Sequence, residues 1–330
     1  MNNKTDILYT SNNRYLDIML ASILSLIINS NLNNIRLHII TENFSLEDYN
    51  KVEKLISNYQ NIELYFYPIE DINIEKYNIP NWRGCQIANS RLFFQEILHK
   101  IISDIKNLLY LDSDTIIMSD LTEITEYSDN AICACKDRVI RTYPERLGLT
   151  EYYNSGVLYF NTKLWANDNY EEKIIKHIEE NKVKYNFPDQ DILNLTFNKE
   201  IALLPLKYNI NPDIFIYKRI KGKIYFDKKE RSISYEEAKD ARMDPKILHS
   251  YALAEIKPWH NNKVNPFNDI FRYYLKQINP NFKLQELEGI KKIMNDYPQL
   301  FYMYLYAKPH IPKKTRENSV KIIKKTKNYL

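Results

Sequence analysis

Along the first third of the chain, short apolar runs alternate with amphipathic stretches. Asp6–Thr10 reads as a strand, and Tyr15–Asn29 then carries apolar residues at helical spacing. Ile35–Ile40 is a second strand, after which Ser45 opens a helix with Asp48 three residues on, in capping-box position. Ile62–Tyr67 is a third strand. A loop holding Pro80 and Gly84 leads into a helix expected from about Gln86 to Ile102, and Asn107–Leu111 is the next strand. This rhythm predicts an α/β fold, a mixed but mainly parallel sheet flanked by helices. Farther on, Tyr153–Asn161 reads as a strand, Lys163–Asn181 as an amphipathic helix, Asp189–Phe197 as a short helix and Ile247–Tyr251 as a late strand, with Lys218–Lys229 as a charged surface hairpin. From about Asn262 the pattern turns helical and aromatic. The expected organisation is a main domain over residues 1–262 and a small helical extension over 263–330, which needs support from that domain.

One stretch conflicts with this apolar patterning. Leu108 to Met118 sets Asp112 and Asp114 inside an otherwise hydrophobic run, and buried carboxylates are costly unless compensated. Residues two apart in an extended segment face the same side, so both carboxylates can converge just past the strand end, where α/β sheets bind ligands. Two hard oxygen ligands there suit Mg²⁺ or Mn²⁺, which would also neutralise phosphates. The spacing alone is a weak pattern and favours two loop carboxylates or a helix cap.

Composition narrows the classes. With 330 residues and 44% hydrophobic content the chain can bury a substantial core. Of three cysteines, Cys133 and Cys135 alternate as one face of a buried strand. An odd count with Cys85 argues against a disulfide framework. The longest apolar run, Leu16 to Ile28, is short and interrupted by Asp17, Ser22 and Ser25, so no membrane span is expected. The N-terminal residues lack a secretory pattern, and a cytoplasmic location is expected. The net charge of +4 resides in the C-terminal tail, where eight basic residues from Lys308 to Lys327 face Glu317 alone. Interleaved with aromatics, that tail suits peripheral contact with an anionic inner membrane face, or equally a solvated basic helix. The body is slightly acidic, which argues against nucleic acid as a partner.

Six blocks, in order, resemble family 8 of the retaining glycosyltransferases, the bacterial group that includes lipooligosaccharide galactosyltransferases. "DILYTSNNRY" (Asp6–Tyr15) resembles the opening nucleotide-binding strand and "ANSRLFF" (Ala88–Phe94) the donor-contacting helix with its arginine. "LLYLDSDTIIMSDL" resembles the D-x-D strand and "YYNSGVLYFNTKLW" (Tyr152–Trp165) the Asn-x-Gly strand. "FPDQDILN" (Phe187–Asn194) resembles the D-Q-D segment, and "ILHSYALAEIKPW" (Ile247–Trp259) the terminal His…Lys-Pro-Trp block. The resemblance implies a GT-A, Rossmann-like domain that binds a nucleotide sugar and transfers a hexose. It implies that Asp112, Asp114 and His249 hold a divalent cation, and an imidazole beside carboxylates favours Mn²⁺ over Mg²⁺. By the same resemblance Thr10, Asn12 and Tyr15 cradle the uridine and Ser113 lies at the donor, while Arg91 and Lys257 meet the diphosphate or the sugar. Asn154, Asp189 and Gln190 surround the sugar and read its hydroxyls, and Asp191 caps or orients its neighbours.

Two departures stand out. Asn12-Asn13-Arg14-Tyr15 replaces the family's acidic residue and Asn-Tyr pair. Lys257 follows His249 by eight residues rather than six, and "SYALAEI" contains no glycine. The function expected is a metal-dependent retaining transferase moving galactose from UDP-galactose, with UDP-glucose the near alternative, to a glycan acceptor: lipooligosaccharide, capsule, teichoic acid or a glycosylated adhesin. A nucleotidyltransferase and a non-catalytic sugar-nucleotide or glycan-binding protein are the readings from other classes.

Overall fold

The computed structural model describes residues 4–72, 77, 79–80, 86–138, 142–181, 185–216, 232–251 and 255–298. The predicted Lys218–Lys229 hairpin, Cys85 and the basic tail lie outside the described residues.

Nine strands are present among the described residues: β1 (Thr5–Asn12), β2 (Ile35–Glu42), β3 (Ile62–Pro68), β4 (Asn107–Asp112), β5 (Thr115–Ile117), β6 (Ile132–Lys136), β7 (Tyr153–Asn161), β8 (Ala202–Leu203) and β9 (Ile247–His249). Seven form one sheet in the order β3-β2-β1-β4-β7-β6-β8. β3, β2, β1 and β4 are parallel neighbours, and β7 runs antiparallel to both β4 and β6. The sheet is therefore mixed and mainly parallel, as the alternation of strands and helices predicts. β5 and β9 pair separately as an antiparallel ribbon.

Helix α1 (Leu16–Asn29) is buried over most of its length, and Met19, Leu20 and Ile23 pack with Ile7 and Tyr9 of β1. Helix α2 (Leu46–Ile56) starts at Ser45 with both hydrogen bonds of the capping box to Asp48 in place. Cys133 and Cys135 are both buried on β6, and burial pushes the Cys133 thiol up to about 12, which suits packing rather than ligation.

Three expected elements differ. The predicted Gln86–Ile102 helix is a 3-10 segment, Ile87–Phe93, followed by one α-helical turn, Phe94–Ile97. Ser90 Oγ and Arg91 Nε donate to the carbonyls of Ile87 and Ala88, side-chain bonds that compete with an α-helical ladder. The predicted Lys163–Asn181 helix is two helices, Thr162–Asn167 and Tyr170–Glu180, because Asn169 takes a left-handed conformation (φ 52°) that asparagine tolerates better than most residues. β9 ends at His249 rather than Tyr251, since the Ser250 amide turns to the Asp114 carbonyl at 2.9 Å.

Past residue 262, the helix Asn268–Ile278 lies against α1. Phe271, Tyr274 and Leu275 share a core with Ile18, Ala21 and Leu24, and Asn29 donates to the Tyr274 hydroxyl at 2.7 Å. The start of the C-terminal region is thereby joined to the helix behind the first strand.

Glu171, in the first turn of Tyr170–Glu180, turns its carboxylate onto the amides of Gln95 and Glu96 at 2.7 and 3.3 Å. Burial nevertheless pushes it up to about 8 from its ordinary 4.5. The folded protein then holds a proton that the unfolded chain has released, so stability falls as pH rises through this window, by up to about 1.4 kcal/mol per pH unit. Thermal melts between pH 5 and 8 should show this decline flattened in Glu171→Gln; parallel profiles in parent and variant would contradict it.

Candidate active site

The two aspartates lie where β4 leaves the sheet. Period-two alternation puts Tyr110 and Asp112 on one face, and the Tyr110 hydroxyl donates to Asp112 Oδ1 at 2.6 Å while contacting Thr10 Oγ1 at 3.0 Å. Thr10 itself is paired with Asp112 in the β1–β4 register. The chain then turns and enters β5, whose pairing with β9 sets Thr115 opposite His249. That ribbon carries the imidazole to the aspartates. His249 Nε2 stands 3.1 Å from Asp114 Oδ1 and 3.4 Å from Asp112 Oδ2. One donor atom from each of Asp112, Asp114 and His249 lies within 4.8 Å of the others.

Gly156 makes this approach possible. A Cβ built there would fall 2.1 Å from His249 Cε1 and 2.6 Å from Asp112 Oδ2, closer than real atoms pack. Glycine is required on β7 because two side chains occupy the space in front of it.

Three cations compensate the carboxylates. Arg91 Nη1 meets Asp112 Oδ1 at 2.8 Å, and the guanidinium lies over the Tyr110 ring at 4.5 Å. Lys257 Nζ meets Asp114 Oδ2 at 2.7 Å and donates to the Ser250 carbonyl at 2.6 Å. Burial opposes ionisation of both aspartates. Arg91 and His249 overcome it at Asp112, and Lys257 and His249 at Asp114, so both carboxyls are held below their ordinary range. Burial would push His249 down, but Asp114 and Asp112 outweigh it and raise the ring to about 9. The greater His-to-Lys spacing thus still delivers Lys257 to the aspartates. Near it, Glu255 takes the left-handed conformation (φ 63°) without a glycine, and its carboxylate faces Lys291 Nζ at 3.3 Å.

Beside this cluster lies a buried polar patch. Asn154 Nδ2 donates to Gln190 Oε1 at 3.0 Å, the Ser155 amide donates to the same oxygen at 3.1 Å, and Gln190 Nε2 donates to Asp137 Oδ2 at 2.8 Å. Ser155 Oγ donates to Asp189 Oδ2 at 2.7 Å, and Arg91 Nε lies 3.4 Å from that oxygen. Burial raises Asp189 and Asp137 above the ordinary carboxylate range. Asn154 therefore sits inside β7 rather than in a turn, and Asp189 faces Arg91 rather than capping its helix (Pro188–Phe197), whose end has no side-chain cap. Asp191 takes the expected orienting part. It accepts from the Tyr143 and Tyr152 hydroxyls and from the amides of Asn186 and Phe187.

The remaining predicted residues lie around this centre. Ser113 Oγ donates to the Thr10 carbonyl at 2.7 Å, tying the aspartate turn to β1. Tyr15 packs edge-on against Trp259 with centroids 5.8 Å apart. Asn12, at the end of β1, hydrogen bonds Glu42 on the neighbouring strand. Arg14 is exposed. Sequence reasoning missed Tyr110, Ser155, Asp137 and Asn209, and assigned Gly156 no role. Tyr110 was detectable by its period-two offset from Asp112. Asp137 and Asn209 carry no local signal, because only folding brings them near.

The donor set fits a divalent cation: two carboxylates held ionised, an imidazole, and a glycine that clears space for them. His249 Nδ1 also contacts Asn209 Oδ1 at 2.9 Å, the outer contact that metal-binding histidines use.

Comparison with known proteins gives the family and the fold. The family model for glycosyl transferase family 8 matches residues 6–263. A lipopolysaccharide 1,2-glucosyltransferase of Escherichia coli K12 is 26% identical over 275 residues, 79% of this chain and 74% of its own. A lipopolysaccharide 1,3-galactosyltransferase of Salmonella typhimurium is 23% identical over 251 residues, 71% of this chain and 66% of its own. Among solved structures, the galactosyltransferase LgtC in complex with donor and acceptor sugar analogs superposes with a TM-score of 0.68 at 22% identity, over 83% of this chain and 96% of that one. This last likeness concerns the fold.

Gly156→Ala should weaken divalent-cation binding, probed with Mn²⁺, by about tenfold or more while the protein stays folded, because the added methyl displaces His249 and Asp112. Calorimetric titration beside a thermal melt would check this, and unchanged affinity in a folded variant would contradict the close approach.

Proposed function

The chain belongs to glycosyl transferase family 8 and is a hexosyltransferase with a GT-A fold, and from that premise we propose a metal-dependent, retaining transfer from a UDP-hexose to a surface-glycan acceptor. The observation that carries this reading is the meeting of Asp112, Asp114 and His249 beside the Asn154–Gln190 patch, with Arg91 and Lys257 supplying fixed positive charge. Manganese is the cation proposed, since the set mixes imidazole with carboxylates. Bound there, it would neutralise the donor diphosphate and stabilise the charge that develops on the leaving group.

The chain's own groups account for the rest. Arg91 and Lys257 stay protonated, because the facing aspartates outweigh their burial, and they hold positive charge where the diphosphate departs. Thr10, Ser113 and Tyr15 lie on the nucleotide side. Asp189, Asn154 and Gln190 are proposed to face the sugar, where unmet hydrogen bonds would reject the wrong epimer. Gln190 Oε1 already accepts two hydrogen bonds, which supports a positioning surface rather than a nucleophile. The reaction proposed is front-side displacement. The bond from the anomeric carbon to the diphosphate oxygen breaks, the acceptor oxygen bonds to that carbon from the same face, and the acceptor proton passes to a diphosphate oxygen.

Galactose is the hexose expected from the sequence blocks. Glucose draws support from two Escherichia coli relatives named lipopolysaccharide 1,2-glucosyltransferases, at 26% and 27% identity. Lipopolysaccharide-type saccharides are the acceptor class these names favour. We place residues 1–262 as the donor-binding catalytic unit, in the cytoplasm. Residues 263–330 form an extension whose basic tail touches the inner membrane face.

UDP release from UDP-galactose and UDP-glucose, measured with Mn²⁺ and with chelator, tests the reaction and chooses the sugar. Asp114→Asn should lose on the order of a hundredfold or more in turnover while keeping its fold, since a lost cation site removes several kcal/mol of transition-state stabilisation; a fully active variant, or a parent inert with every UDP-sugar it binds, would refute the reading. Deleting residues 307–330 should abolish pelleting with anionic vesicles and leave neutral-vesicle controls unchanged; equal pelleting of both forms would remove the tail from the proposal.

A further inference from the structure

His249 is the first member of a buried chain of side chains that runs away from the aspartates. Asn209 lies just before the isolated bridge that joins Ile210 to Leu248 of β9, and is fully buried. Its Oδ1 is 2.9 Å from His249 Nδ1, and its Nδ2 donates to Asn154 Oδ1 at 2.7 Å. Asn154 Nδ2 donates to Gln190 Oε1, and Gln190 Nε2 donates to Asp137 Oδ2.

Backbone donors set the direction of this chain. The Gly156 amide donates to Asn154 Oδ1 at 2.9 Å, and the Ser155 amide donates to Gln190 Oε1 at 3.1 Å. A backbone N–H can only donate, so both amide oxygens must face β7. The group Asn209 presents to Asn154 Oδ1 must then be its NH₂, which leaves the Asn209 oxygen against the imidazole. An oxygen without hydrogen can only accept, so Nδ1 must carry a proton, and the lone pair of the neutral ring stands on Nε2, the atom facing Asp112 and Asp114. At the far end the Gln190 NH₂ finds a carboxylate, which accepts. Every link is satisfied in this direction, whereas the reverse would set the NH₂ groups of Asn154 and Gln190 against the Gly156 and Ser155 N–H groups.

We propose that Asn209 is a positioning residue for the cation site: anchored through Asn154 to the backbone of β7, it holds His249 in the tautomer and orientation that present Nε2 beside Asp112 and Asp114. This rests on the reading of those three residues as the cation's ligands. The same chain continues to Gln190, so the cation side and the proposed sugar side share one hydrogen-bonded support.

The test is calorimetric titration of Mn²⁺, without donor, into the parent, Asn209→Leu and Asn209→Asp, each checked for folding by circular dichroism. Asn209→Leu removes the acceptor and should weaken binding by about ten- to a hundredfold. Asn209→Asp keeps an oxygen against Nδ1 but loses the NH₂ that meets Asn154 Oδ1, and should bind at least about threefold more tightly than Asn209→Leu. Should Asn209→Leu fail to fold, Asn209→Ala is compared with Asn209→Asp in its place. A folded variant lacking the acceptor that binds like the parent would overturn the role of Asn209, as would Asn209→Asp binding as weakly as that variant. A parent that takes up no Mn²⁺ would overturn the cation site itself, and this inference with it.

Discussion

Two carboxylates at the end of a buried strand repel each other and lose hydration, and the rest of this molecule is arranged around that cost. Arg91 comes from the 3-10 segment before β4, His249 from a ribbon formed late in the chain, and Lys257 from the segment beyond it. Each is buried or nearly so, and each remains charged because the aspartates outweigh its own desolvation. A site balanced in this way is preorganised. It presents ionised oxygens without relying on solvent, and it places positive charge beside the point where a diphosphate would leave.

The balance depends on backbone as much as on charge. Thr115–Ile117 follows the aspartate turn directly, and its pairing with Ile247–His249 makes one short ribbon responsible for the position of both aspartates and imidazole. Gly156 then lets β7 pass close enough for His249 and Asp112 to share the space where a side chain would otherwise stand. In a chain with only five glycines, one is spent at the centre of the site. Helix α1 and the helix Asn268–Ile278 support the ribbon from behind, since Ile116 and Leu248 belong to the core those helices share.

Much of the fold was legible because strands and helices announce themselves by local period. β1, β2, β3 and β7 fall close to the predicted runs, and Ser45 with Asp48 capped α2 as read. The errors occurred where side chains take over backbone hydrogen bonds or the backbone turns left-handed. Ser90 and Arg91 divert carbonyls in Ile87–Phe93, and Asn169 breaks a helix that the amphipathic pattern runs straight through. Periodicity measures which face is apolar and does not register such diversions.

The sequence by itself determined the chemistry available: paired aspartates after an apolar strand, an arginine, an Asn-x-Gly, a D-Q-D segment and a late histidine and lysine, in an order that resembles one family. Only the tertiary structure decided which of these meet, and through which atoms. Lys257 reaches Asp114 despite a longer spacing from His249, and Asn12 turns to Glu42. Asp137 and Asn209, silent in the sequence, become the end and the first link of the support behind the site. The reason is physical. Residue type sets what a group can donate, accept or ligate, but the direction of a hydrogen bond and the ionisation of a buried carboxylate depend on neighbours that are distant along the chain.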